Sequence, residues 1–252
     1  MIREINTKLN SFEIFTIFRN EHDSFILDSA MDKEKLGRYS FISSQPFKVL
    51  KYKDTDENPL EVLKEELHKY RVVNDTNLPF VGGAVGYLSY DLGNYIENLP
   101  RTAVDDIEMP DMYFGFYNHV IVIDHLVQKT YIATPNIDIE LEEKIIDDIE
   151  QRILKEEKKG IDSICYEEKE VTSIRLKSNF TKEEFKNAVQ SVREYIRQGD
   201  IYQANLTQRF SGETELTSFE LYRDLRRFSP APFGAFLNFE DAHILSNSPE
   251  DL

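Results

Sequence analysis

Leu60, Leu63, Leu67 and Tyr70 recur at helical spacing behind Asn58-Pro59, a capping residue followed by a proline at the first helical position, and predict a helix that covers a sheet. Around it the apolar positions follow strand patterns: Arg38–Ile42, Lys48–Tyr52 and the glycine-containing stretch Val81–Tyr90. Phe116–Ile123 and Thr130–Ala133 flank Asp124–Lys129 as the two arms of an antiparallel hairpin would. The chain to about Thr134 therefore reads as mostly strand with one clear helix. Beyond it, Leu141, Ile145, Ile149 and Ile153 repeat every four residues through the most charged part of the chain, so a helix runs there and ends before Lys158-Lys159-Gly160. The polar stretch that follows reads as a connection without chemistry of its own.

A new unit opens at Ser178-Asn179-Phe180-Thr181. Thr181 and Glu184 have the form of a capping box, Phe185, Ala188, Val189, Val192 and Ile196 form the apolar stripe, and Gly199 is placed to end the helix. Ile201–Phe210 then reads as a strand, Phe219–Phe228 as a short helix, and Phe233–Phe239 as a strand that Glu240-Asp241 turns back into Ala242–Ser246. The class is α+β, antiparallel sheets packed with helices in two interleaved units: residues 1–137, a charged helix and connection at 138–177, and a second domain beginning at 178 and running to 252. About 75 residues that stop as a strand emerges into a loop are few for a self-sufficient core, so the second domain is expected to be incomplete. The alternative is a chain that ends on a sheet edge and borrows support from the first domain.

Charge and composition narrow the function. With 46 acidic against 30 basic side chains in 252 residues the formal net charge is −16, which argues against an unspecific binder of nucleic acid or of an anionic membrane. The longest apolar runs, such as Val120–Ile123, fall far short of the roughly 18 residues that cross a bilayer. The amino-terminal residues lack a secretory apolar region, and the single cysteine, Cys165, cannot form an intramolecular disulfide; both suit a reducing cytoplasm. The five histidines show no paired metal spacing, and Gly82-Gly83-x-x-Gly86 runs into Tyr87-Leu88-Ser89-Tyr90 without the strand-to-helix context of a dinucleotide loop. Close packing of strand and loop is the plainer role for those glycines.

Specific strings say more. Gly199-Asp200-Ile201-Tyr202-Gln203-Ala204-Asn205-Leu206-Thr207-Gln208-Arg209-Phe210 resembles the motif that opens the chorismate-binding domain of component I enzymes, the aminodeoxychorismate synthases and anthranilate synthases. The resemblance continues in order through Ser229–Leu237 and Leu245–Glu250, and in the first domain through Phe25–Ser29, Gly37–Ile42, Phe80–Leu92 and Glu97–Pro100. Tyr202-Gln203-Ala204-Asn205-Leu206 and Phe233-Gly234-Ala235-Phe236 look like the aminodeoxychorismate, or folate, branch. An anthranilate synthase component and a non-catalytic tryptophan-binding module are the rival readings.

The resemblance implies a fold like that of anthranilate synthase component I, of which this chain holds the front part, and a reaction in which chorismate receives ammonia and loses its 4-hydroxyl. Hydroxide is a poor leaving group, so such a site needs an acid; by resemblance Glu250 of the Ser-Pro-Glu string is suited to proton transfer, against the plainer fate of a solvated loop carboxylate. The resemblance also implies magnesium with ligands, and a lysine nucleophile, downstream of this chain, so the chain alone is expected to be inactive. It implies a glutamine amidotransferase subunit as the ammonia source. It further implies a tryptophan-like pocket: Ser29 and the Pro230, Pro232 and Phe233 string match positions that in the family enclose the indole and its amino-acid head. The same residues would equally serve a plain interdomain core.

Overall fold

The computed structural model describes residues 1–31, 36–102, 104–135, 138–160 and 175–249. Two compact units emerge, one from residues 1–165 together with 218–252, the other from 166–217. The first unit starts with β1 (Ile2–Ile5), α1 (Ser11–Phe18), β2 (Ser24–Asp28), β3 (Tyr39–Ser43), β4 (Lys48–Tyr52), α2 (Pro59–Lys69) and β5 (Gly83–Leu88). It continues with β6 (Met112–Tyr117), β7 (Val120–Asp124), β8 (Lys129–Ala133) and α3 (Ile139–Lys159). The smaller unit holds β9 (Lys177–Ser178), α4 (Lys182–Gln198) and β10 (Phe210–Ser211), after which α5 (Ser218–Phe228), β11 (Phe233–Asn238) and β12 (His243–Ser248) return to the first.

Every strand pair among the described residues is antiparallel, as expected of an α+β chain. Seven strands form one sheet in the order β1-β8-β7-β3-β2-β11-β12, and β4-β6-β5 form a second. Sequence pattern alone places residues 178–252 together; the contacts return 218–252 to the first unit. The cause is β11, which pairs with β2 from Gly234 opposite Asp28 to Asn238 opposite Ser24. Its Leu237 and the following Phe239 share one buried cluster with Phe25, Val85, Tyr113 and Tyr117. Burial of that cluster removes apolar surface that neither chain segment could cover alone.

The capped helices form where their signals stand. Asn58 accepts the amide of Leu60 at the start of α2, whose Leu63 packs with Leu50, Met112 and Phe116 of the smaller sheet. Thr181 and Glu184 complete a capping box on α4, and Gly199 ends it in the left-handed conformation at φ 83°. Gly86 is fixed by close approach: a Cβ there would stand 1.9 Å from the Tyr113 carbonyl oxygen on the facing strand β6.

Three local expectations change. α1 is a helix inside the stretch read as strand, with Asn10 and Glu13 exchanging capping-box hydrogen bonds of 3.0 and 2.7 Å. Five of its eight residues are buried, so no solvent face marks it as amphipathic. The run Phe116–Ile123 is two strands, because the chain leaves one sheet at Asn118-His119 and enters the other. Ile201–Arg209 is not a strand: among the described residues of this stretch only Phe210 and Ser211 pair as a strand, with Ser178 and Lys177, and Tyr202 is 91% exposed. A strand exists only through its neighbour's hydrogen bonds. No helix among the described residues is long and apolar enough to cross a membrane.

Candidate functional site

Where β2 ends against β11, Asp28 and Ser29 sit buried in the first unit. The Ser29 hydroxyl lies 2.7 Å from the Tyr39 carbonyl oxygen and 3.0 Å from that of Pro232, and the Ala30 amide donates to the Ala231 carbonyl at 3.1 Å. The resemblance grouped Ser29 with the proline string, and these contacts join the two across 203 positions of sequence. One hydroxyl proton serves only one carbonyl at a time, which leaves the Ser29 lone pairs and the second carbonyl as acceptors for an incoming N–H. Pro232 is buried and Phe233 half-buried, whereas Pro230 is exposed.

Beneath Ser29 lies a polar network that sequence reasoning missed. The Asp28 carboxylate accepts the hydroxyls of Ser11 at 3.0 Å and Ser40 at 3.1 Å, and pairs with the Arg226 guanidinium from α5. Ser40 Oγ in turn receives the Ser29 amide at 3.0 Å and stands 2.7 Å from His125 Nε2. Ser40 has one hydroxyl proton for Asp28 and His125; when it goes to Asp28, His125 Nε2 is the donor to Ser40 Oγ. The available signal was a charged residue closing an apolar strand, Phe25-Ile26-Leu27-Asp28. A buried carboxylate demands a cation, here one 198 positions away. Burial and the nearby Asp28 raise the phenol pKa of Tyr222, whose hydroxyl is buried without a hydrogen-bond partner among the described residues. A Cβ on Gly234 would approach that hydroxyl to 3.1 Å.

The two downstream strings also meet. In the β11–β12 ladder Gly234 faces Asn247 and Phe233 faces Ser248, while the Asn247 side-chain amide donates to the Ser229 carbonyl. Glu250, the proposed proton-transfer residue, lies outside the described residues. In the smaller unit Gln208 donates to Ser178 Oγ at 2.6 Å and the Arg209 amide donates to Asn179 Oδ1 at 2.8 Å, so this string is tied to the segment that precedes α4. Among the described residues no group of three His, Cys, Asp or Glu side chains is placed to share a metal ion.

Residues 22–252 match the family of chorismate binding enzymes. The chain is 35% identical to the anthranilate synthase component 1 of Acetivibrio thermocellus over 95% of its own length and 53% of that protein. It is 30% identical to the aminodeoxychorismate synthase component 1 of Bacillus subtilis, covering 96% of this chain and 53% of the relative. The crystal structure of anthranilate synthase component I from Streptococcus pneumoniae superposes with a TM-score of 0.70 at 25% identity, covering 96% of this chain and 56% of that one. The chain spans about half the length of the curated relatives it matches.

Proposed function

The chain belongs to the chorismate-binding enzyme family, and from that premise we propose that it is the front part of a chorismate-aminating subunit of the aminodeoxychorismate branch. The observation that carries the reading is the meeting of Ser229–Leu237 and Leu245–Ser248 on adjacent strands beside Asp28-Ser29, since these strings are the ones that resemble the family's substrate domain. The branch rests on Tyr202-Gln203-Ala204-Asn205-Leu206 and on Gly234 in the Pro-Phe string. A second reading, the anthranilate branch, is favoured by the 35% identity to the Acetivibrio enzyme.

In the proposed reaction ammonia from an amidotransferase partner forms a C–N bond to chorismate, the 4-hydroxyl leaves, and a proton from an acid turns the departing hydroxide into water. Glu250 would transfer that proton. Magnesium, when bound, would hold the substrate carboxylate, but the described residues do not fit a metal site. No step is therefore assigned to them through the ion. The Ser29 and Pro232 acceptors would take the ammonium group of tryptophan, with Phe233 as an apolar wall. Cytoplasmic residence accords with this biosynthetic role.

Product mass tests the reading. The 252-residue chain is incubated with chorismate, ammonium and magnesium, alone and with the carboxy-terminal half of a family member. Chorismate untouched by the chain alone, and a product from the mixture that retains the enolpyruvyl group, is the expected result. Anthranilate as product would move the protein to the other branch, and turnover by the chain alone would refute the assignment of essential groups to residues outside it.

A further inference from the structure

A cavity of about 330 Å³ opens in the first unit between the end of α1, the turns that follow β3 and β6, and α3. That volume is at the lower end of small-molecule sites. Its apolar walls are Phe18 from α1 and Ile145 and Ile149 from α3. The charges around it divide into those already satisfied and those still unspent. The Arg152 guanidinium lies 4.4 Å above the Phe18 ring, donates to Glu21 at 2.5 Å and stands 3.6 Å from the Asp148 carboxylate, so two anions meet its charge. The other Glu21 oxygen takes the Ser44 hydroxyl at 2.5 Å.

Two lining groups stay available. Lys144 makes no ion pair among the described residues. His119 has Nδ1 at 3.1 Å from Asn118 Oδ1; with the amide assigned so, Nδ1 carries the proton and Nε2 keeps a lone pair. Burial holds the ring neutral, pushing its pKa down to about 4; Glu21 opposes the shift and Arg152 adds to it. The site therefore offers one unpaired ammonium, one neutral acceptor and an apolar floor. Its satisfied charges cancel poorly enough to discourage a dianion, with Glu21 and Asp148 set against Arg152.

We propose that this cavity between α1 and α3 binds a small carboxylic acid that also carries an O–H or N–H donor, the carboxylate on Lys144, the donor on His119 Nε2 and the apolar body against Phe18, Ile145 and Ile149. None of these residues belongs to the Ser29 network, so the site stands or falls independently of the chorismate assay.

The probe is 4-hydroxybenzoate, with benzoate as the analogue that lacks the donor, titrated into the 252-residue chain while the histidine ring signals are followed by NMR. Saturable movement of the His119 ring signals, affinity about tenfold weaker for benzoate, and a similar loss for 4-hydroxybenzoate in Lys144→Met are expected, as for the loss of one charge-assisted or buried hydrogen bond. Lys144 is exposed on α3, and circular dichroism checks that the variant is folded. An unmoved His119 ring at millimolar 4-hydroxybenzoate overturns the proposal. Equal affinity for benzoate, or unchanged affinity in folded Lys144→Met, overturns it as well.

Discussion

Replacement of His119 by glutamine turns the pKa of one enclosed ring into a measurable stability. In the folded chain burial lowers the imidazole pKa from its ordinary 6.5 to about 4, while the unfolded chain takes up the proton near the ordinary value. Between those two pH values the unfolded state binds one more proton than the native state, so stability rises with pH there by about 1.4 kcal/mol per unit. The full contribution, present above pH 6.5, is lost as pH falls towards 4 and amounts to about 3 kcal/mol for a ring whose pKa falls from 6.5 to about 4. The many carboxylates also titrate in acid, so the quantity to measure is a difference. Urea unfolding of the wild type and of His119→Gln, followed by far-ultraviolet circular dichroism from pH 7.5 to 4.5, should give a stability difference that is constant above pH 7. Below pH 6.5 it should shift in favour of the variant with the slope just given. A difference that stays flat across the range would refute the argument, because the ring would then titrate alike in both states. A direct NMR titration of the ring in the wild type supplies the same answer site by site.

The network under Ser29 and the tight β5–β6 approach give two further expectations. Ser40→Ala removes a donor from the buried Asp28 carboxylate and the acceptor used by the Ser29 amide, at a cost of about 3 kcal/mol for buried groups left unsatisfied. Urea unfolding reads that loss, and a change below about 1 kcal/mol would show that water or a neighbour replaces the hydroxyl. Gly86→Ala sets a methyl 1.9 Å from the Tyr113 oxygen and 2.7 Å from Phe114 Cα, both backbone atoms of the paired strand that no rotamer change can move aside. Its cost should exceed about 3 kcal/mol, seen as a large drop in melting temperature or loss of soluble protein, and a near-normal melt would contradict the close approach.

Much of the helical structure is legible along the chain because its signals are local. Asn58-Pro59 starts α2, Thr181 with Glu184 starts α4, Gly199 stops it, and the four-residue repeat of Leu141, Ile145, Ile149 and Ile153 runs through α3. Each depends on atoms within about four residues, the span of one helical hydrogen bond. The β11–β12 hairpin and the return from β7 to β8 are legible for the same reason. The α1 box of Asn10 and Glu13 was equally local, but the helix behind it is buried on too many sides to show a period.

Of the candidate site, sequence strings supplied Ser29, Pro232 and the family, yet the supports of Ser29 came only with the fold. Asp28, Ser40, His125 and Arg226 come from β2, β3, the end of β7 and α5, and nothing in their spacing ties one to another. The break at Asn118-His119 is likewise decided by two sheets claiming the halves of one apolar run, and the enclosure of His119 follows from α3 packing across that break. Local hydrogen bonds and side-chain periodicity therefore set which segments are helices and hairpins. Ladder pairing and burial between segments more than two hundred residues apart set which strands are neighbours, and so which polar groups must find partners in the core.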